Sequence, residues 1–328
     1  MISVLCFHIK EVFPSFPLME NSSLPEVSFE TPLWLIYSYH STGSISLILN
    51  VFVLFLILFK SDELDNFRFF LLSFQVACTV TDVHLTFLME PVPLHPLMAG
   101  YCTGILADLG VWTHYLSAFI YTIVVFQMEC LTFCFARKHQ TIARIVSHHV
   151  VPKWVWISGF VSAGVIPFVY FFAFCQAGMD RDKQLEYVEE NYPPYLSQFQ
   201  SLSNFAIYHL NFYFIFLTII TICGGMLSGF VFFFSTFDMF RMLKKARQKV
   251  SQAHYQRHKS AIRSLLAQFA ASSLCLAPPF IFVLVVLGEF GESQLIVQCI
   301  LILLSLHSPT NAVVVILTTA PYRNYLFR

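Results

Sequence analysis

Seven stretches of mostly apolar residues, separated by polar connections, set the pattern of this chain. They cover 33–59, 67–89, 101–136, 154–174, 203–237, 264–287 and 293–319. A bilayer core about 30 Å thick needs about 20 apolar residues in a helix, and every stretch meets that length. Five of them hold no Asp, Glu, Lys or Arg; the second carries Asp82 beside His84, and the third carries Asp108 and Glu129. The pattern predicts an all-α membrane protein, a seven-transmembrane helix bundle. Residues 1–32 form a leading tail, 33–319 the helical domain and 320–328 a short trailing tail. The fifth stretch is overlong and is expected to project beyond the bilayer on at least one side. No internal repeat, low-complexity tract or soluble domain interrupts the series.

Composition agrees with this reading. Of the 328 residues 57% are apolar and 12% charged, against about 25% charged in soluble domains. Nineteen basic and nineteen acidic side chains leave no net field to attract nucleic acid. The distribution of the cations is the informative part. With the N-terminus outside and the C-terminus inside, sixteen of the nineteen Lys and Arg fall in inner segments, as cytoplasmic loops require. Asn21 opens the sequon Asn21-Ser22-Ser23, a candidate glycosylation site in the external tail. The N-terminal apolar run is too short for a cleavable signal peptide, which leaves targeting to the first long stretch.

Two connections stand out. Residues 176–202 hold five acids and two bases around Pro193-Pro194 and read as an acidic lid over the outer mouth. Residues 238–263 hold eight cations against Asp238 and read as inner extensions of the fifth and sixth helices.

No catalytic motif, cofactor motif or metal set emerges, so the chain is not expected to be an enzyme. His254 and His258 stand four apart but among cations, which makes them solvated residues of a basic helix. The seventh stretch has no lysine for a retinal Schiff base. Nine scattered cysteines contain no C-x-x-C pair. Cys102, opening the third stretch, and Cys175, ending the fourth, could form a disulfide in the oxidising outer compartment.

Ionisable groups inside a bilayer are costly and mark candidate sites. On a continuous third helix, Asp108, Trp112, Tyr115, Phe119, Thr122, Phe126 and Glu129 recur at three and four residues, one stripe with an acid near each membrane boundary about 31 Å apart. Asp82 and His84 lie roughly 10 Å below the outer surface by helical rise. A carboxylate at that depth points to ligand contact, ion binding or an interhelical network. With His114, Tyr208 and His209 at similar depth, the expected ligand-binding residues are Asp82, His84, Asp108, Trp112, Tyr115 and His209, in an aromatic cavity with few polar groups. Pro167, Pro278-Pro279 and Pro309 fall inside the fourth, sixth and seventh helices, where each removes a hydrogen bond and favours a kink.

Several motifs resemble a known family. Pro91-Val92-Pro93-Leu94-His95-Pro96-Leu97 runs into Gly100-Tyr101-Cys102-x-Gly104; Gln127-Met128-Glu129 and Arg137-Lys138-His139-Gln140 follow, and Pro321-Tyr322-Arg323 closes the seventh stretch. Together they resemble the nematode serpentine chemoreceptors, most closely classes I and H of the Str superfamily, over essentially the whole chain from residue 33. The resemblance implies a G-protein-coupled receptor for an odorant or other small molecule, in the plasma membrane of sensory neuron cilia, with a heterotrimeric G protein as partner. On that analogy Glu129 and Arg137 stand at the G-protein face, and Lys138, Lys244 and Lys245 extend its basic surface. The D-R-Y, C-W-x-P and N-P-x-x-Y motifs of rhodopsin-like receptors are missing, so residue roles from those receptors are not transferred. A membrane transporter is the rival reading; it would favour repeat symmetry and ionisable groups at mid-depth.

Overall fold

The computed structural model describes residues 27–60, 67–147, 149–209, 211–246, 251–252, 255–256, 259–260, 262–264, 266–270 and 293–326. Asn21, His254, His258, Pro278-Pro279 and most of the sixth stretch lie outside the described residues.

Helix α1 spans Leu33–Phe59 and α2 spans Phe67–Val83, with a π-helical turn, His84–Met89, continuing it. Then come α3 (Thr113–Val146), α4 (Lys153–Ala177) and α5 (Phe212–Ala246). The seventh stretch is two helices, α6 (Ser293–Ser305) and α7 (His307–Thr318), followed by a short α8 (Ala320–Leu326). Among the described residues six spans are long and apolar enough to cross a membrane, counting α6 and α7 as one.

Spacing along each helix decides what it buries. Helix α1 turns Leu35, Tyr39, Gly43, Ser46, Asn50, Val53 and Ile57 inward, steps of three or four that keep one face on the bundle. Helix α3 packs against α2, α4 and α5 and buries residues on several faces, as the central helix of a bundle must. Large apolar side chains of α4 and α5 point outward, Phe168 and Phe230 among them, where bilayer rather than water accepts them. At one end Phe74, Leu131, Phe135, Phe232, Met239 and Ile262 form a shared core.

The opposite end carries an element the apolar pattern does not announce. Strands β1 (Pro91–Pro93), β2 (Ala99–Cys102) and β3 (Phe205–Ile207) form an antiparallel sheet with β2 in the middle, Val92 facing Tyr101 and Gly100 facing Ala206. The acidic lid folds over it as a helix, Arg181–Asn191, a 3-10 turn, Pro193–Tyr195, and a short helix, Leu196–Ser201. Val92, Leu94, Tyr101, Val188, Phe199 and Phe205 make a small core beneath this cap, with Phe29 packed against it.

Glycines allow the close approaches. A Cβ at Gly104 would stand 2.6 Å from the Leu88 carbonyl carbon, and one at Gly100 would stand 3.0 Å from the Val92 oxygen. This accounts for the spacing of the Gly-Tyr-Cys-x-Gly motif.

Three expectations need correction. The third stretch is not one helix from residue 101: β2, a single helical turn (Ile105–Asp108) and a bend at Gly110, with φ of +83°, precede α3. Asp108 is therefore exposed on that separate turn and does not continue the stripe of α3. Tyr208 and His209 precede α5, and the seventh stretch breaks at Leu306, which puts Pro309 in the first turn of α7, where proline is tolerated.

Candidate ligand site and basic end

An aromatic cluster organises the capped end of α3. The His114 imidazole, 2% exposed, reaches Cys175 O at 3.3 Å through Nε2 and the Tyr208 hydroxyl at 3.0 Å through Nδ1. A carbonyl only accepts, so Nε2 carries the proton and the Tyr208 hydroxyl donates to Nδ1. The rings of Trp112, Tyr115, Phe174 and Tyr208 all stand 5.5–5.7 Å from the His114 ring. Sequence reasoning put His114 at the depth of the expected cavity; its spacing carries no sign that it joins the third, fourth and fifth segments.

The start of α3 is held from another part of the chain. Its N-cap, Trp112, makes no capping bond with its side chain; instead Asn204 Oδ1 accepts from Thr113 N at 2.9 Å and Asn204 Nδ2 donates to Val111 O at 2.7 Å. Trp112 Nε1 donates to Phe205 O at 3.2 Å. Tyr115 and Phe119 remain 47% and 40% exposed, and His84, buried on α2, lies 4.7 Å ring to ring from Phe119 while bonding Leu116 O. Tyr115 and Phe119 thus leave an exposed aromatic face on α3, with Trp112 against Tyr115 and the buried His84 against Phe119. His209 packs apart from it, against Tyr187 of the cap, and its Nδ1 is buried without a hydrogen bond. Asp108 lies outside the cluster, and Asp82 faces Ser46 of α1. Cys102 and Cys175 are both free thiols.

Midway along α3, Glu129 Oε2 is buried with no hydrogen bond, and the basic end lies beyond it. Arg137 lies over the Phe70 ring at 6.0 Å and Lys138 over the Phe67 ring at 5.4 Å, Lys138 only 8% exposed, while Lys244 and Lys245 are exposed. A clamp missed by the sequence reading closes this end. Asp238 Oδ2 of α5 accepts from His139 Nε2 of α3 at 2.8 Å and His149 Nδ1 at 2.9 Å, and Gln140 Oε1 accepts from Val151 N at 2.8 Å. Beside it a cleft of about 280 Å³ is lined by His149, Asp238, Arg241, Met242 and Lys245.

A bundle of apolar helices with a folded cap at one end and a basic opposite end defines a multi-pass membrane protein of the seven-transmembrane receptor class. The family model described as serpentine type 7TM GPCR chemoreceptor Sri matches residues 25–326, and the chain belongs to that family. Of the two classes it resembles, the match is to class I. The family is one of receptors, not of enzymes. No curated protein matches the chain.

Proposed function

We propose that this chemoreceptor stands with its capped end outside the cell and its C-terminus inside, in the plasma membrane of sensory cilia. There it binds a small odorant or soluble chemical and activates a heterotrimeric G protein. The observation that carries the reading is the open aromatic face of α3 under the cap, where Trp112, Tyr115 and Phe119 give apolar area and His84 a polar anchor, the composition small-molecule sites use. His209 and Asp108 would act from the cap and its margin. The excess of cations at the opposite end supports both the orientation and a partner of acidic surface, with Glu129, Arg137, Lys138, Lys244 and Lys245 on that side.

A calcium or cyclic-nucleotide reporter in cells expressing the chain, screened against a chemical panel, tests the function. A ligand that evokes a G-protein signal, with potency reduced by Trp112→Ala at unchanged surface level, is the expected result; uptake without signal would make the chain a transporter. A tag at residue 1 should label on intact cells, and labelling only after permeabilisation would reverse the orientation.

A further inference from the structure

The residues that lead into α1, Val27 to Thr31, are held as a bound peptide is held. Their exposure alternates, Val27 and Phe29 half-buried and Ser28 and Glu30 exposed, which is the period of an extended chain. The side-chain amide of Gln294, in the first turn of α6, pairs with both main-chain groups of Ser28. Its Oε1 accepts from Ser28 N at 3.0 Å and its Nε2 donates to Ser28 O at 2.8 Å, the exchange a neighbouring strand would make. Nε2 also donates to Pro93 O of β1 at 3.0 Å, so Gln294 spans from the segment to the sheet.

One residue further on, the main chain is read again. Tyr101 of β2, 6% exposed, donates its hydroxyl proton to Phe29 O at 3.2 Å and therefore accepts from Thr31 Oγ1 at 3.0 Å. The Phe29 ring enters the core of the cap, edge-on to Phe199 at 5.0 Å and tilted against Tyr195 at 5.8 Å. Val27 packs on the same core.

Main-chain bonds for affinity and a pocket for an alternate side chain for selectivity are the two parts of extended-peptide recognition. Here both are supplied to the segment by Gln294, Tyr101 and the cap, while its own contact, Glu30 N to Ser28 Oγ, is a long 3.4 Å. Ordering such a segment costs chain entropy of the same order as its four bonds and one ring return. The segment is therefore poised between a seated and a lifted state.

We propose that the cap carries a site for an extended peptide with an aromatic side chain, and that residues 27–31 are its resident occupant, exchangeable for a free peptide of that kind. Gln294 and Tyr101 read the main chain, and Tyr195 and Phe199 read the ring. The site uses none of the α3 residues assigned to the small ligand.

The test uses the full chain in lipid nanodiscs, where both ends face solvent and orientation does not enter. The probe is a fluorescein-labelled peptide of residues 27–32, followed by fluorescence polarisation. The wild type should bind it weakly, because its own segment competes at a local concentration on the order of a millimolar. Phe29→Ala weakens that competitor and should bind the peptide saturably and about ten-fold or more tightly than the wild type. The same peptide with Ala at its aromatic position should lose about ten-fold or more on that receptor, and adding Gln294→Ala should cost several-fold. Ser28→Pro removes the N–H that Gln294 accepts from and leaves Phe29 in place; it should also gain binding, and it decides the matter if Phe29→Ala does not fold. Absence of saturable binding to whichever of these two variants gives a cooperative thermal transition overturns the proposal. So does binding indifferent to the aromatic residue of the peptide or to Gln294→Ala, which would be adsorption to the apolar surface.

Discussion

Replacing Asn204 with Ala tests whether α3 is held from outside its own sequence. The variant loses the acceptor for Thr113 N and the donor to Val111 O, while the bond from Thr113 Oγ1 to the Asn204 main-chain oxygen survives. Each intramolecular hydrogen bond is worth a net of about 1 kcal/mol, so the loss is about 2 kcal/mol. With an unfolding entropy of about 2.1 cal/mol/K per residue over 328 residues, that corresponds to a fall on the order of 3 °C in the unfolding midpoint. Asn204→Asp keeps the acceptor and places an anion at a helix N-terminus, where it is favourable by about 0.3–1 kcal/mol, so it should fall by clearly less. Purified receptor in detergent, followed by the fluorescence of a thiol-reactive dye, gives all three midpoints. A fall in Asn204→Ala of less than about 1 °C, or a larger fall in Asn204→Asp, would refute the capping role.

Gly104→Ala forces a Cβ onto the Leu88 main chain and should cost about 1–3 kcal/mol and most surface expression, whereas Gly164→Ala, with nothing within 4 Å, should express normally. Burial holds the His95 imidazole below its ordinary pKa, so the unfolded chain takes up the proton more readily than the fold. Stability is then complete above about pH 6.5 and declines as pH falls below it, and His95→Gln should flatten that decline in midpoints measured at several pH values. Replacing Arg137, Lys244 and Lys245 together with Gln should leave surface level and orientation intact while ligand-driven G-protein activation falls; unchanged activation would assign these cations to topology alone.

The spans were readable because each obeys one rule, a run of apolar residues long enough for a bilayer, and the bounds of α1, α2 and α4 follow it closely. The cap was not readable, because β1, β2 and β3 hold three or four residues each and the β2–β3 pairing spans more than a hundred positions. The stripe of α3 was half legible. Trp112, Tyr115 and Phe119 do lie together, but the bend at Gly110 detaches Asp108, and a glycine in an apolar run carries no mark of its φ. The Asp238 clamp joins His139 to a residue 99 positions away, a distance no local pattern encodes.

The order of strands in the cap also has a consequence for biogenesis. β1 and β2 can close as a hairpin as soon as both are made, but β2's second edge waits for β3, which begins 103 residues after Cys102. At a synthesis rate of about 5–20 residues per second that wait is on the order of 5–20 s. Throughout it the hairpin presents unpaired main-chain groups, an invitation to wrong pairing. The capped end can be sealed only after α4 has been made, yet all of its strands exist before α5, α6 and α7 do.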